Sequence, residues 1–143
     1  MKLILLSILF LFICFSCGST GRVMFYDFNA SKYKVEKEIL SIINNGPNHT
    51  LPPKWIGGTK GDYLEYFYIY FKNNPEEMYQ IGFKYDSLTW NESSNCSLAI
   101  VSQFSGEEWK YEKDLSNNEI DRITKRFEDV ILSKLSYGYI KKK

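Results

Sequence analysis

Apolar side chains occupy both sides of the stretch from Asp62 to Lys72, which therefore predicts a β-strand inside a sheet. Its side chains alternate with the period of two that a strand imposes. One side carries Tyr63, Phe67, Ile69 and Phe71, and the other carries Leu64, Tyr66, Tyr68 and Tyr70. A strand that is apolar on both sides needs cover on both faces of its sheet. We expect helices to cover one face, and the chain itself or a partner to cover the other.

Two amphipathic helices flank this strand along the chain. The first is predicted from Ser31 to Asn45 and ends at Gly46-Pro47, where glycine and proline interrupt a helix. Its buried stripe consists of Val35, Ile39, Ile42 and Ile43. The second begins at a capping box formed by Ser116 and Glu119, with Leu115 and Ile120 as a hydrophobic staple. Its stripe is Ile120, Ile123, Phe127, Val130, Ile131 and Leu135, and its polar face is Asp121, Arg122, Lys125, Arg126, Glu128 and Asp129.

Three more strands are predicted between the helices. Asn73 to Glu76 form a turn, and the chain returns from Met78 to Tyr85. A third strand spans Cys96 to Phe104, and a fourth spans Glu107 to Lys113. The side chains predicted to face the helices are Leu98, Ile100, Phe104, Trp109 and Tyr111. The pattern predicts an α+β fold, a two-layer sandwich in which a four-stranded antiparallel meander carries the N-terminal and C-terminal helices on one face.

Segments outside the predicted helices and strands are interpreted from their composition. Residues 22–30 form either a short edge strand or a packed arm, and Tyr137 to Ile140 are a candidate for an added edge strand. The loop 48–61 is rich in proline and glycine and carries Trp55. Its run Gly57 to Gly61 has the letters of a phosphate-binding loop in the wrong order, so we interpret it as a turn.

The N-terminus has the composition of an export signal. Met1-Lys2 precede an apolar run from Leu3 to Phe15, which is too short for a permanent bilayer span. The run ends at Phe15-Ser16-Cys17-Gly18-Ser19, which resembles the lipobox of bacterial lipoproteins, although Cys14 stands where leucine is commonest. The resemblance implies that Cys17 becomes the first residue of the mature protein, carrying acyl chains on its sulfur and its amine. It covers only about the first twenty residues and implies nothing about the fold.

Cleavage after Gly18 is the rival interpretation, and it would release a secreted protein without an anchor. We favour the lipoprotein because two or three acyl chains anchor strongly and the run from Gly18 to Gly21 suits a tether. The predicted organisation is a signal peptide in 1–16, a lipid-anchored tether and arm in 17–30, and a single α+β domain in 31–143. The protein is then expected on the periplasmic side of the envelope or at the cell surface.

Charge and cysteine content narrow the possible functions. The chain has a formal net charge of +1, which falls to about zero once Lys2 is removed with the signal. A neutral balance disfavours nucleic acid, which needs a concentrated basic surface. The basic tail from Lys141 to Lys143 is interpreted as a solvated chain end, with weak attraction to anionic headgroups as the alternative. Cys96 is left as a lone thiol and is predicted to be a small buried apolar residue.

Four Asn-x-Ser/Thr triplets begin at Asn29, Asn48, Asn91 and Asn95. In a eukaryotic secreted protein they would be glycan acceptors on surface loops. A lipobox implies a bacterium, so we interpret them as loop composition. They are the strongest argument against the predicted compartment.

The face turned away from the helices is the candidate binding site. It is predicted to carry Leu64, Tyr66, Tyr68 and Tyr70, with Gln80, Gly82, Ala99, Val101, Gln103, Lys110 and Glu112 from neighbouring strands. Tyrosine combines a rigid apolar ring with a polar tip and is enriched at recognition surfaces. The alternative is that residues 22–28 or the loop with Trp55 cover the rings and complete the core.

Catalytic chemistry is not predicted. The sequence has no triad, no paired-cysteine metal site and no glycine-rich cradle, and its single histidine, His49, lies in a loop. Glu65 is the one carboxylate within the aromatic strand and is expected to be solvated. We expect a non-enzymatic binding or assembly module of the bacterial envelope without cofactor or metal. The alternatives are an inhibitor or immunity lipoprotein against an exported toxin or hydrolase, and a carbohydrate or peptide carrier.

Overall fold

A computed structural model of the chain describes residues 21–46, 66–84 and 94–142. Their order is β1, α1, β2, β3, β4, β5, α2 and β6. The strands are β1 (Met24–Phe28), β2 (Tyr66–Phe71), β3 (Glu77–Phe83), β4 (Cys96–Phe104), β5 (Trp109–Lys110) and β6 (Tyr139–Lys142). The helices are α1 (Lys32–Asn45) and α2 (Asn117–Val130), with 3-10 turns at Glu112–Asp114 and Leu132–Lys134. The α+β class is confirmed.

The described strands form one antiparallel sheet in the order β2-β3-β4-β1-β6, with β5 paired to the end of β4. The described part of the sheet therefore has six strands, where four were predicted for the whole sheet. The two additional strands come from the ends of the domain. β1 pairs with β4 on one side and with β6 on the other, so the N-terminal and C-terminal segments complete the sheet together.

The position of β1 changes the predicted domain boundary. Residues 24–28 were expected at an edge or as an arm before a domain beginning at residue 31. They instead form an interior strand, in which Met24, Tyr26 and Phe28 are buried and Phe25 and Asp27 are half-buried. The folded domain therefore includes β1, and this segment does not lie over the tyrosine rings.

The main core lies between the sheet and the two helices. α1 contributes Val35 and Ile39, and α2 contributes Ile120, Ile123 and Phe127. The strand residues of the same cluster are Met24, Tyr26, Phe28, Ile69, Phe71, Tyr79, Ile81, Phe83, Leu98 and Ile100. The predicted inward stripes of both helices are thus confirmed.

A β-bulge in β4 alters which side chains face the helices. The β3–β4 register shifts between Gln80, which pairs with Ser102, and Ile81, which pairs with Ile100, so Val101 is the extra residue. The alternation changes phase there, and Ser102 lies on the face away from the helices. Gln103 lies on the helix side, contrary to the prediction.

The C-terminal helix begins as predicted. Ser116 Oγ accepts a hydrogen bond from the Glu119 N–H at 3.3 Å, and the Ser116 N–H donates to the Glu119 carboxylate at 2.8 Å. This is the complete capping box. The fourth strand is shorter than predicted, because the Tyr111 and Asp114 backbones form a turn and the Tyr111 N–H donates to the Asp114 carboxylate.

Several predictions concern residues outside the described ranges. These are the signal segment 1–16, the anchor Cys17, the loop 48–61 with His49 and Trp55, and the strand residues Leu64 and Glu65. The triplets at Asn48 and Asn91 also lie there.

Candidate functional site

The sheet face away from the helices carries most of the predicted binding residues. We call it the tyrosine face and define it by Tyr66, Tyr68, Tyr70, Met78, Gln80, Gly82, Ala99, Val101, Ser102, Phe104 and Trp109. Strand pairing arranges it in rows, because Tyr66 lies opposite Gly82, Tyr68 opposite Gln80, and Tyr70 opposite Met78. The next strand continues these rows with Ala99, Ser102 and Phe104.

A hydrogen-bonded chain crosses the middle of this face. Ser102 Oγ donates to Gln80 Oε1 at 2.7 Å, and Gln80 Nε2 lies 3.5 Å from the Tyr68 hydroxyl. Gln80 and Ser102 are both buried, whereas Tyr68 is half-buried. Buried polar groups require partners, so these bonds fix the amide and hold the phenol tip of Tyr68.

Gly82 leaves space for the ring of Tyr66. A Cβ atom at this position would stand 2.6 Å from Tyr66 Cε1, closer than side chains can pack. Glycine lets the Tyr66 ring lie flat over the neighbouring strand. The Tyr66 ring is half-buried in this arrangement.

Tyr68 belongs to an aromatic group that includes two residues predicted on the opposite face. The Trp109 ring lies 5.8 Å from the Tyr68 ring and 5.2 Å from the Phe104 ring, centroid to centroid. Phe104 and Trp109 pair across β4 and β5 and pack with Tyr70 and Met78 as a second apolar cluster. The bulge at Val101 is the reason for the error, because it reverses the phase of β4 beyond that point.

Tyr70 is more enclosed than a recognition residue would be. Its side chain is only 4% exposed, and its hydroxyl donates to the Glu76 carboxylate. Burial and this contact raise the pKa of Tyr70 to about 12. Tyr66, Tyr68, Phe104 and Trp109 remain half-buried, so the partly accessible part of the face is centred on Tyr68 and Trp109.

A buried carboxylate at the start of β3 forms the densest polar network among the described residues. Glu77 is 1% exposed and accepts five hydrogen bonds, from both Nη atoms of Arg122, Arg126 Nη1, the Tyr79 hydroxyl and Gln103 Nε2. Arg122 and Arg126 were predicted on the solvated face of α2. The helical spacing of four places both on the side of α2 that faces Glu77.

This network fastens α2 to the hairpin between β2 and β3. Arg126 also donates to the carbonyl oxygens of Pro75 and Asn73, and its guanidinium lies 4.8 Å from the Phe71 ring centre. Hydrogen bonding to Glu77 raises the pKa of Arg122, and burial raises that of Tyr79. A carboxylate with all its lone pairs occupied is suited to holding structure rather than to proton transfer. In the sequence, the Glu77 network is indicated only by the doublet Glu76-Glu77 and by the spacing of Arg122 and Arg126.

Cys96 occupies the first position of β4, as predicted, and is half-buried against the main core. Burial, with a smaller contribution from Asp27, raises the pKa of its thiol to about 11. The thiol is therefore protonated at neutral pH and a poor nucleophile.

No group of three or more His, Cys, Asp and Glu side chains in residues 21–46, 66–84 and 94–142 could hold a metal ion. Neither α1 nor α2, nor any other helix in those ranges, has the length and apolar character needed to cross a bilayer. No family model, curated protein or solved structure matches the chain. The described elements define the class of protein as an α+β domain with a mainly antiparallel sheet.

Proposed function

We propose that the protein is a lipid-anchored module of the bacterial envelope that binds an envelope protein or peptide through the tyrosine face. Cys17 carries the acyl chains, and the domain is a two-layer sandwich whose helices share the other face. Its role is binding or assembly, without catalysis.

The supporting observation is the group formed by Tyr66, Tyr68 and Trp109. Each ring is half-buried on the sheet, and Tyr68 contacts Gln80 on the neighbouring strand and the ring of Trp109. Tyrosine and tryptophan in fixed positions contribute most to binding energy at protein interfaces, because little side-chain entropy is lost when a partner covers them. The buried Tyr70 belongs to the apolar cluster against which Tyr68 and Trp109 pack.

Two of the described ionisable groups, Glu77 and Cys96, support a non-catalytic role. Glu77 is saturated by donors, and the Cys96 thiol has a raised pKa. A catalytic site needs at least two convergent polar groups that are free to react. These two groups lie in surroundings that suppress reactivity.

The binding proposal is tested by affinity capture of the full-length tagged protein from detergent-solubilised envelopes of the native host. Tyr68→Ala is compared with Tyr33→Ala, an exposed tyrosine on α1 that serves as the matched control. We expect Tyr68→Ala to reduce partner recovery about tenfold, because the variant loses one anchoring side chain of the interface. Tyr33→Ala should leave the recovery unchanged. Equal recovery from both variants contradicts the proposal.

Thermal unfolding of the same variants separates binding from packing. A Tyr68→Ala variant that melts near the wild-type temperature supports a surface role, whereas a large decrease assigns the ring to the core. The identity of the captured protein separates the two functions. An envelope complex supports assembly, and an exported toxin or hydrolase supports the inhibitor or immunity function.

The anchor is tested on its own by Cys17→Ser. We expect the wild type to fractionate with membranes and the variant to lose its acyl chains, as measured by mass spectrometry of the mature N-terminus. An unmodified N-terminus that begins after Gly18 in the wild type would contradict the anchor.

A further inference from the structure

The outer surface of α1 carries an unusual combination of exposed residues. Tyr33 and Leu40 are large side chains exposed to 49% and 39%, and Lys34 and Lys37 are exposed beside them. We call these four residues the α1 outer face. Helical geometry places them on the side opposite Val35 and Ile39, which are buried against the sheet.

Both acidic residues of α1 have partners that do not belong to this surface. Glu36 lies 3.4 Å from the ammonium of Lys32, which is itself buried. Glu38 accepts a hydrogen bond from the Ser136 N–H at 2.9 Å. The outer face is thus left with the positive charges of Lys34 and Lys37 and no acid among them.

The outer surface of α2 differs in composition. Its exposed charges include Asp121, Lys125 and Asp129, and the last two form an ion pair at 3.0 Å. Acidic side chains therefore outnumber basic ones among these exposed residues. The positive, partly aromatic surface is therefore a property of α1 and not of the whole helical layer.

We propose that the α1 outer face rests on an anionic phospholipid surface. Lysine ammonium groups are attracted to phosphate headgroups, while tyrosine and leucine favour the boundary between headgroups and acyl chains. Each lysine contributes about five-fold to the partition coefficient. Charge complementarity thus selects an anionic lipid surface over a neutral one.

The orientation of the domain follows, and this part rests on the proposed anchor. Arg22 follows Cys17 by five positions along the chain, a distance of at most about 18 Å in an extended chain. An acylated Cys17 would hold the domain near the bilayer with α1 toward the headgroups. Because α1 covers the other side of the sheet, the tyrosine face points away from the membrane and toward a partner.

The lipid contact is tested by lysine footprinting of the full-length protein bound to vesicles. A lysine-reactive acetyl ester labels the protein on vesicles containing phosphatidylglycerol and on pure phosphatidylcholine vesicles, and peptide mass spectrometry reports each site. Lys34 and Lys37 are expected to react several-fold more slowly on the anionic vesicles, with the difference removed by high salt. Lys125, which is 77% exposed, is the internal reference and should react equally on both.

A second measurement uses variants in the Cys17→Ser background, so that acylation does not contribute. For each variant, the partition coefficient on anionic vesicles is divided by the partition coefficient on neutral vesicles. The apolar run at residues 3–15 contributes to both coefficients, so its contribution cancels in this ratio. Replacing Lys34 and Lys37 together by glutamine should lower this ratio about 25-fold, whereas replacing Lys113 and Lys125 should leave it unchanged. Equal footprints at Lys34, Lys37 and Lys125, or an unchanged ratio, would overturn the lipid contact. The mass of the mature N-terminus tests the anchor separately.

Discussion

Both helices contribute side chains to the main core but are attached to the sheet differently. α2 has a complete capping box, a buried apolar stripe and two arginines bound to Glu77. α1 has no side-chain cap at Ser31 and no acid in its first turn, and it packs through Val35 and Ile39. The comparison shows that α2 uses its two arginines within the domain, whereas α1 exposes Lys34 and Lys37 to its surroundings.

A second polar contact of α2 strengthens this contrast. Glu128 accepts a hydrogen bond from the Tyr26 hydroxyl at 3.1 Å and pairs with Lys141 at 2.8 Å. These contacts connect α2 to β1 and β6, while the Glu77 network connects it to β3. We infer that α2 joins both halves of the sheet, and the following predictions test this division of roles.

The largest effect is expected from Phe127→Ala. Phe127 is fully buried in the main core, and its ring centre lies 5.6 Å from that of Tyr26. Removing the ring leaves a cavity beneath α2 and should lower the free energy of unfolding by about 4 kcal/mol. Urea unfolding measures the loss, with Val130→Ala, a half-buried position, as the smaller control. A loss below about 1 kcal/mol would show that α2 is not held by this core.

Glu77→Gln tests the charged attachment of α2. The amide keeps the shape of the side chain but leaves Arg122 and Arg126 without their counter-charge. Arg126 is 14% exposed and has little access to water, so we expect a loss of about 2–3 kcal/mol in the free energy of unfolding. Asp121→Asn, on the exposed side of the same helix, should change it by less than about 0.5 kcal/mol. Similar effects of the two variants would refute a structural role for the network.

The serines that precede the two helices form a matched pair. Ser116→Ala removes a cap whose hydroxyl accepts from the Glu119 N–H, and should cost about 1 kcal/mol. Ser31→Ala removes a hydroxyl that makes no capping bond and should change stability by a few tenths of a kcal/mol at most. Chemical denaturation measures both variants. Equal losses would contradict the difference between the helix starts.

Local patterns account for the parts of this fold that were predicted. The helices, the capping box at Ser116 and the strand from Cys96 to Phe104 depend on residues close in sequence. The interior position of β1 depends on pairing with β4 and β6, which no local pattern encodes. The bulge at Val101 depends on the register with β3, and it moved Phe104 and Trp109 to the tyrosine face.

The candidate site was likewise predicted only in part. Tyr66 and Tyr68 are half-buried on the tyrosine face, while the burial of Tyr70 and the contribution of Trp109 emerge only when the strands are assembled. The Glu77 network was missed because its arginines lie more than forty residues away along the chain, in a helix that periodicity alone orients only approximately.

The smallest effect concerns acid, and it again distinguishes α2 from α1. Hydrogen bonds from the Ser116 backbone N–H and hydroxyl lower the pKa of Glu119 below its ordinary value of 4.5. A carboxyl with a lowered folded-state pKa stabilises the fold above its unfolded-state pKa, and that contribution is lost as the pH falls through the folded-state value. The stability of the wild type should therefore decline below about pH 4.5 more steeply than that of Glu119→Gln. Ser31→Ala at the start of α1, where the hydroxyl makes no capping bond, is the control and should keep the wild-type slope, measured by urea unfolding across the acid range. A wild-type slope in Glu119→Gln would contradict a role for this carboxylate in the helix cap.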